Sequence, residues 1–82
     1  MNDVVEVYGK ENCPQCNTAK RKLRANGVHF AYHEVDVATA QSVAQPYSVT
    51  VKQFPFFVGG GRVWLYSEID AMILHYRRHK ES

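Results

Sequence analysis

A β-forming run, a cysteine, a proline and then a helix-forming stretch closed by Asn-Gly is the pattern that most limits how this chain can fold. Val4 to Tyr8 (Val-Val-Glu-Val-Tyr) is rich in strand formers and ends at Gly9. A polar loop, Gly9 to Asn12, leads to Cys13. Pro14 suits the first helical position, where its missing N–H costs nothing, and Asn26-Gly27 supplies a stop, so a helix is predicted over Pro14 to Ala25. Val28 to Val37 mixes aromatic and β-branched residues and reads as a second strand, parallel to the first if the helix crosses over. Cys13 is thereby placed at the N-terminus of a crossover helix.

The rest of the chain completes one layered sheet. Ala38 to Gln45 reads as a short helix closed or kinked by Pro46. Phe54 to Val58, Gly59-Gly60-Gly61 and Arg62 to Leu65 read as a hairpin. Ser67 with Asp70 resembles a capping box, Ile69, Met72, Ile73 and Tyr76 fall on one helical face, and Arg77-Arg78-His79-Lys80 suits the negative end of the macrodipole. The order β-α-β-α-β-β-α predicts an α/β fold, a four-stranded mixed sheet flanked by three helices. With 82 residues there is room for one core, so a single domain over 1–82 is expected. A net charge of +2 gives no reason to invoke nucleic acid, and the start of the chain shows neither a signal peptide nor a membrane span. A cytoplasmic monomer is expected.

Two cysteines three apart are too few to staple a small secreted domain, which leaves redox chemistry, half of a zinc site, or two core thiols. Cys13, Cys16, His29 and His33 match the spacing of a two-Cys two-His finger, yet His29 and His33 follow a helix stop in a strand-forming run. Four residues along a strand span about 13 Å, too far for one zinc ion. The positions between the ligand pairs that should carry a small core hold Lys20 and Asn26. No metal is therefore expected, and His75 and His79, one helical turn apart, lack other ligands nearby.

The redox reading accounts for the placement. Orphan N–H groups and the positive end of the helix stabilise a thiolate at Cys13, making it the attacking sulfur. Cys16, one turn inside the helix and more shielded, resolves the mixed disulfide. Lys10 adds a cation beside the thiolate, Pro14 fixes the backbone between the sulfurs and Gln15 is left exposed to partners.

Val7 to Cys16, with Cys-Pro-Gln-Cys opening a helix between strands, resembles the glutaredoxins, a branch of the thioredoxin-like fold, over nearly the whole chain. The resemblance implies that Phe54-Pro55 is the family's cis-proline element, presenting backbone groups to a substrate peptide. Glutathione-dependent members carry Thr-Val before that proline and Gly-Gly with acidic residues before the last helix; here those stretches read Gln53-Phe54 and Leu65-Tyr66-Ser67-Glu68. Cys13, Gln15, Cys16, Thr18 and Lys20, Lys-Gln-Phe-Pro at Lys52 to Pro55, and Trp64 resemble instead the glutaredoxin-like redoxins that donate electrons to ribonucleotide reductase. No bound cofactor is implied. The electrons are expected from thioredoxin reductase or glutathione, and the Cys13–Cys16 disulfide is the redox-active group.

Two further surfaces suggest themselves. Lys20, Arg21, Lys22 and Arg24 make the first helix basic, for solvation or for docking an acidic segment of a protein disulfide. Tyr8, Phe54 and Trp64 could supply an apolar rim around the sulfurs, with Trp64 equally suited to the core. The competing functions are a glutathione-dependent glutaredoxin, a zinc-binding structural module, and a non-catalytic partner-binding domain on the same fold.

Overall fold

The structure, a computed structural model, describes residues 4–81, with the side chains of 77–81 excepted. The cationic run Arg77 to Lys80 and the His75–His79 spacing therefore lie outside the described side chains. Strand β1 (Val5–Gly9) leads through a short loop into helix α1 (Pro14–Ala25), which crosses to β2 (Phe30–Glu34). Helix α2 (Val37–Ala44) continues into a 3-10 turn (Gln45–Tyr47); then come β3 (Phe56–Gly59), β4 (Arg62–Leu65), a second 3-10 turn (Tyr66–Glu68) and α3 (Ile69–Glu81). The four strands form one mixed sheet in the order β2-β1-β3-β4. β1 runs parallel to β2, with Val7 opposite Tyr32, and antiparallel to β3.

Element boundaries follow local chemistry. α1 stops where the Asn26 and Gly27 N–H groups turn back to helix carbonyls, Gly27 takes φ +69°, and Val28 N–H reaches Leu23 O at 2.9 Å. The second strand is shorter than the predicted Val28 to Val37, because Asp36 leaves the sheet to cap α2: its carboxylate accepts from Thr39 N–H at 2.8 Å. β3 starts at Phe56, after Pro55, which has no N–H to give to a ladder. The hairpin turns on Gly60 and Gly61, both at positive φ. The start of α3 is fixed differently from the predicted Ser67/Asp70 box. Glu68 accepts from Leu65 N–H at 2.9 Å, and Asp70 pairs with Lys22 of α1 at 2.7 Å.

Strand alternation sorts the apolar side chains onto two faces. On one, Val5 and Val7 meet Ala19 and Leu23 of α1, Phe57 and Trp64 of the hairpin, and Ile69, Met72, Ile73 and Tyr76 of α3. On the other, Phe56 and Val63 meet Ala40 and Ala44 of α2, together with Val51, Phe54 and both cysteines. The cysteines thus sit at the end of the sheet where β1, α1 and the segment before β3 converge. Among the described residues no helix is long and apolar enough to cross a membrane.

Candidate active site

Cys13 is the N-cap of α1 and is bonded to Cys16 in a disulfide, with Cα atoms 5.2 Å apart. The Cys16 N–H donates to Cys13 Sγ at 3.1 Å, one of the orphan donors of the first turn aimed at the sulfur. In the reduced form that same N–H, with the helix dipole behind it, favours negative charge on Cys13. Cys13 retains 7% of its accessible surface and Cys16 only 1%. The expected order of exposure holds, but Cys13 is far more covered than a residue after a polar loop suggests, because Phe54 closes over it: the Phe54 carbonyl oxygen lies 4.0 Å from Cys13 Sγ.

The Phe54–Pro55 peptide bond is cis, and Pro55 is fully buried. The segment that delivers it is held from α2. The Gln41 carboxamide donates to Val49 O at 3.2 Å and accepts from Val51 N–H at 3.1 Å. No sequence signal marked Gln41, since a polar residue on a short helix gives no hint that it satisfies a loop ten residues on.

An open depression of about 690 Å³ surrounds Cys13, lined by Lys10, Asn12, Pro14, Gln15, Val37, Lys52, Gln53 and Phe54. Lys10 Nζ stands 5.9 Å from the centre of the Phe54 ring. The depression is cationic: Lys10 and Lys52 line it and no carboxylate does. A disulfide that one thiolate can open and a second can close, in a groove able to receive a peptide, is a thiol–disulfide exchange centre. A glutaredoxin family model matches residues 5–64, which contain both cysteines, Phe54 and Pro55. The chain belongs to the glutaredoxin family. A crystal structure of a mutant of the thioredoxin-like protein BC3987 superposes with a TM-score of 0.64 at 25% sequence identity, covering 93% of this chain and 99% of that one. A search of curated proteins gave no match. The glutaredoxin fold is thus thioredoxin-like, and Cys13–Cys16 is its redox-active disulfide.

Of the three rim candidates, Trp64 takes its core alternative and Tyr8 lies elsewhere in this glutaredoxin. Trp64 belongs to the core between the sheet and the α1/α3 layer; its indole N–H donates to Gly59 O at 3.2 Å and Arg62 stacks 3.8 Å from it. Tyr8 points to the opposite face from Val7 and stacks between Phe56 and His33, outside the depression. Burial, Glu6 and Tyr47 raise its pKa above the ordinary phenol value. Val37, exposed at the start of α2, takes the place on the rim that sequence gave to those two aromatics. The basic residues of α1 are engaged within the chain: Lys20 lies over Tyr32, Arg24 over Phe30 and Lys22 against Asp70. His33 Nε2 is 2.6 Å from Glu6 Oε1 across the strands, and among the described residues no three His, Cys, Asp or Glu side chains gather as a metal site.

Proposed function

We propose that this glutaredoxin reduces protein disulfides as an electron donor to ribonucleotide reductase and is itself recharged by thioredoxin reductase rather than by glutathione. The observation that carries the choice of reductant is the stretch before α3, where Leu65-Tyr66 stands in place of Gly-Gly. This is the stretch where glutathione-dependent relatives offer backbone amides to the γ-glutamyl carboxylate. Here the Leu65 N–H is already taken by the Glu68 carboxylate at 2.9 Å, which also accepts from Arg62 at 3.2 Å, and the Tyr66 side chain adds bulk that glycine does not. The Lys52 to Pro55 sequence and the cationic groove support a protein target.

The reaction runs in two exchanges. Cys13 thiolate attacks one sulfur of the target disulfide, forming a mixed disulfide and expelling the other sulfur as a thiolate, which takes a proton from water. Cys16 thiolate then attacks Cys13 Sγ, closing the Cys13–Cys16 disulfide and releasing the second target thiol. Two electrons have passed to the target. Pro55 and the Phe54 carbonyl, 4.0 Å from Cys13 Sγ, supply the backbone edge along which an extended substrate lies.

The test is reduction of the oxidised protein by NADPH with thioredoxin reductase, compared with glutathione and glutathione reductase. Turnover in the first system without glutathione is expected; none there, with turnover in the second, would replace this reading with the glutathione-dependent one. Trapping with Cys16→Ser should then hold the physiological target on Cys13.

A further inference from the structure

The two sulfurs have unequal surroundings, and one feature of the buried one is not explained by the exchange steps. Cys16 Sγ packs against Gly9 at the end of β1, where a methyl group in place of the glycine hydrogen would stand 2.7 Å from it. The same methyl group would collide with the phenol oxygen of Tyr32. Both atoms therefore occupy the space directly in front of Gly9 Cα, which only a residue without Cβ leaves open. Tyr32 reaches there because it sits opposite Val7 on β2, on the α1 side of the sheet, with its ring leaning toward the end of the strand where the cysteines lie. Lys20, one turn beyond Cys16 on α1, holds its ammonium 4.0 Å from the centre of that ring.

From this geometry we infer that Tyr32 is a positioning residue for the resolving sulfur: its hydroxyl donates a hydrogen bond to Cys16 when Cys16 becomes a thiolate. A hydrogen bond to an anion is among the stronger ones and is made only in the charged state. It therefore acts whenever the Cys13–Cys16 bond opens by attack on Cys13, with the electron pair passing to Cys16 Sγ. It acts again when Cys16, its proton given up to water, attacks the mixed disulfide. The charged groups around the phenol are Lys20 from α1 and Glu34 from its own strand, while β1 presents only Val7 and Gly9. Burial, then Glu34, raise the Tyr32 pKa, so the phenol keeps its proton as a donor throughout the working range. The ammonium over the ring strengthens that donor.

The experiment needs no physiological partner, so its outcome is independent of the choice of reductant proposed above. Reduced protein is mixed with excess 5,5′-dithiobis(2-nitrobenzoate) in a stopped-flow instrument; the first release of thionitrobenzoate reports attack by Cys13 and the second reports resolution by Cys16. Tyr32→Phe keeps the ring and its cation contact and removes only the donor. Its second phase is expected to have a pH profile moved up by about one unit and a rate about threefold lower near neutrality, the thiolate fraction falling tenfold while intrinsic nucleophilicity partly compensates. The first phase is expected to be unchanged. Lys20→Gln should move the second phase in the same direction by less. A wild-type profile for the second phase in Tyr32→Phe overturns the assignment. If that variant does not fold, an unmoved profile in Lys20→Gln overturns it.

Discussion

Replacing Gly9 by alanine tests the packing on which the redox centre rests. The added methyl group would stand 2.7 Å from Cys16 Sγ and 2.9 Å from Tyr32 Cε1, and would overlap the phenol oxygen. The tyrosine can swing its free end aside. The sulfur cannot, because it is tied to Cys13 and anchored on the first turn of α1. Overpacking of a buried site costs about 1–3 kcal/mol. Alanine also restricts the unfolded chain, which returns about 0.4–1 kcal/mol. The net loss is roughly 1–2 kcal/mol, and at about 4–8 °C per kcal/mol for a domain of this size the oxidised variant should melt roughly 5–15 °C below the wild type. Circular-dichroism melts of the two oxidised proteins read this directly. In a Tyr32→Phe background the same substitution should cost less, since part of the collision is gone and residues in contact do not add independently. An unchanged or raised melting temperature in Gly9→Ala, or an equal cost in both backgrounds, would refute the reasoning.

Other perturbations have separable outcomes. Gln41→Ala strands the Val51 N–H and the Val49 carbonyl in a half-buried site, so a loss of about 1–3 kcal/mol in urea unfolding is expected, with faster amide exchange at Val51. Gly61→Ala meets no neighbour within 4 Å, yet must hold φ +77°, so its cost of about 1–2 kcal/mol should be purely conformational and be abolished by a D-alanine at the same position in a synthetic chain. Asp36 has its pKa lowered by its bond to Thr39, so its charged cap stabilises the fold above the ordinary carboxylate range and ceases to as pH falls through the lowered value. Asp36→Asn should be less stable than wild type at neutral pH, with the gap closing on acidification in a series of urea melts.

Much of the fold was legible because its determinants are local. Pro14 and the Asn26-Gly27 stop bound α1 at the residues where the structure has it, and Gly60-Gly61 turn the hairpin as read. The parallel pairing of β1 with β2 followed from the crossover helix alone. The misplaced boundaries are those where one residue had to choose between two roles. Asp36 lies in a β-rich run and ends the strand only because its carboxylate finds Thr39 N–H, while Ser67 offered a plausible cap that Glu68 took over by reaching Leu65 and Arg62 together.

The site divides along the same line, and the division bears on how the two sulfurs come to differ. Cys13 owes its polarity to its own helix, the N-cap position and the Cys16 N–H being written in Cys-Pro-Gln-Cys, although its cover comes from Phe54. What surrounds Cys16 is set by distant strands. It depends on the register that puts Tyr32 opposite Val7, and on Gly9 leaving room for a phenol and a sulfur at one point. Tyr8 was misplaced, and Trp64 was left between rim and core, for the same cause, since a one-residue step along a strand exchanges the two faces of the sheet. The charge preference of the attacking sulfur can thus be specified by four consecutive residues, whereas shielding of the resolving one requires the sheet to be assembled. A substitution in β1 or β2 should accordingly alter resolution while leaving the first attack intact.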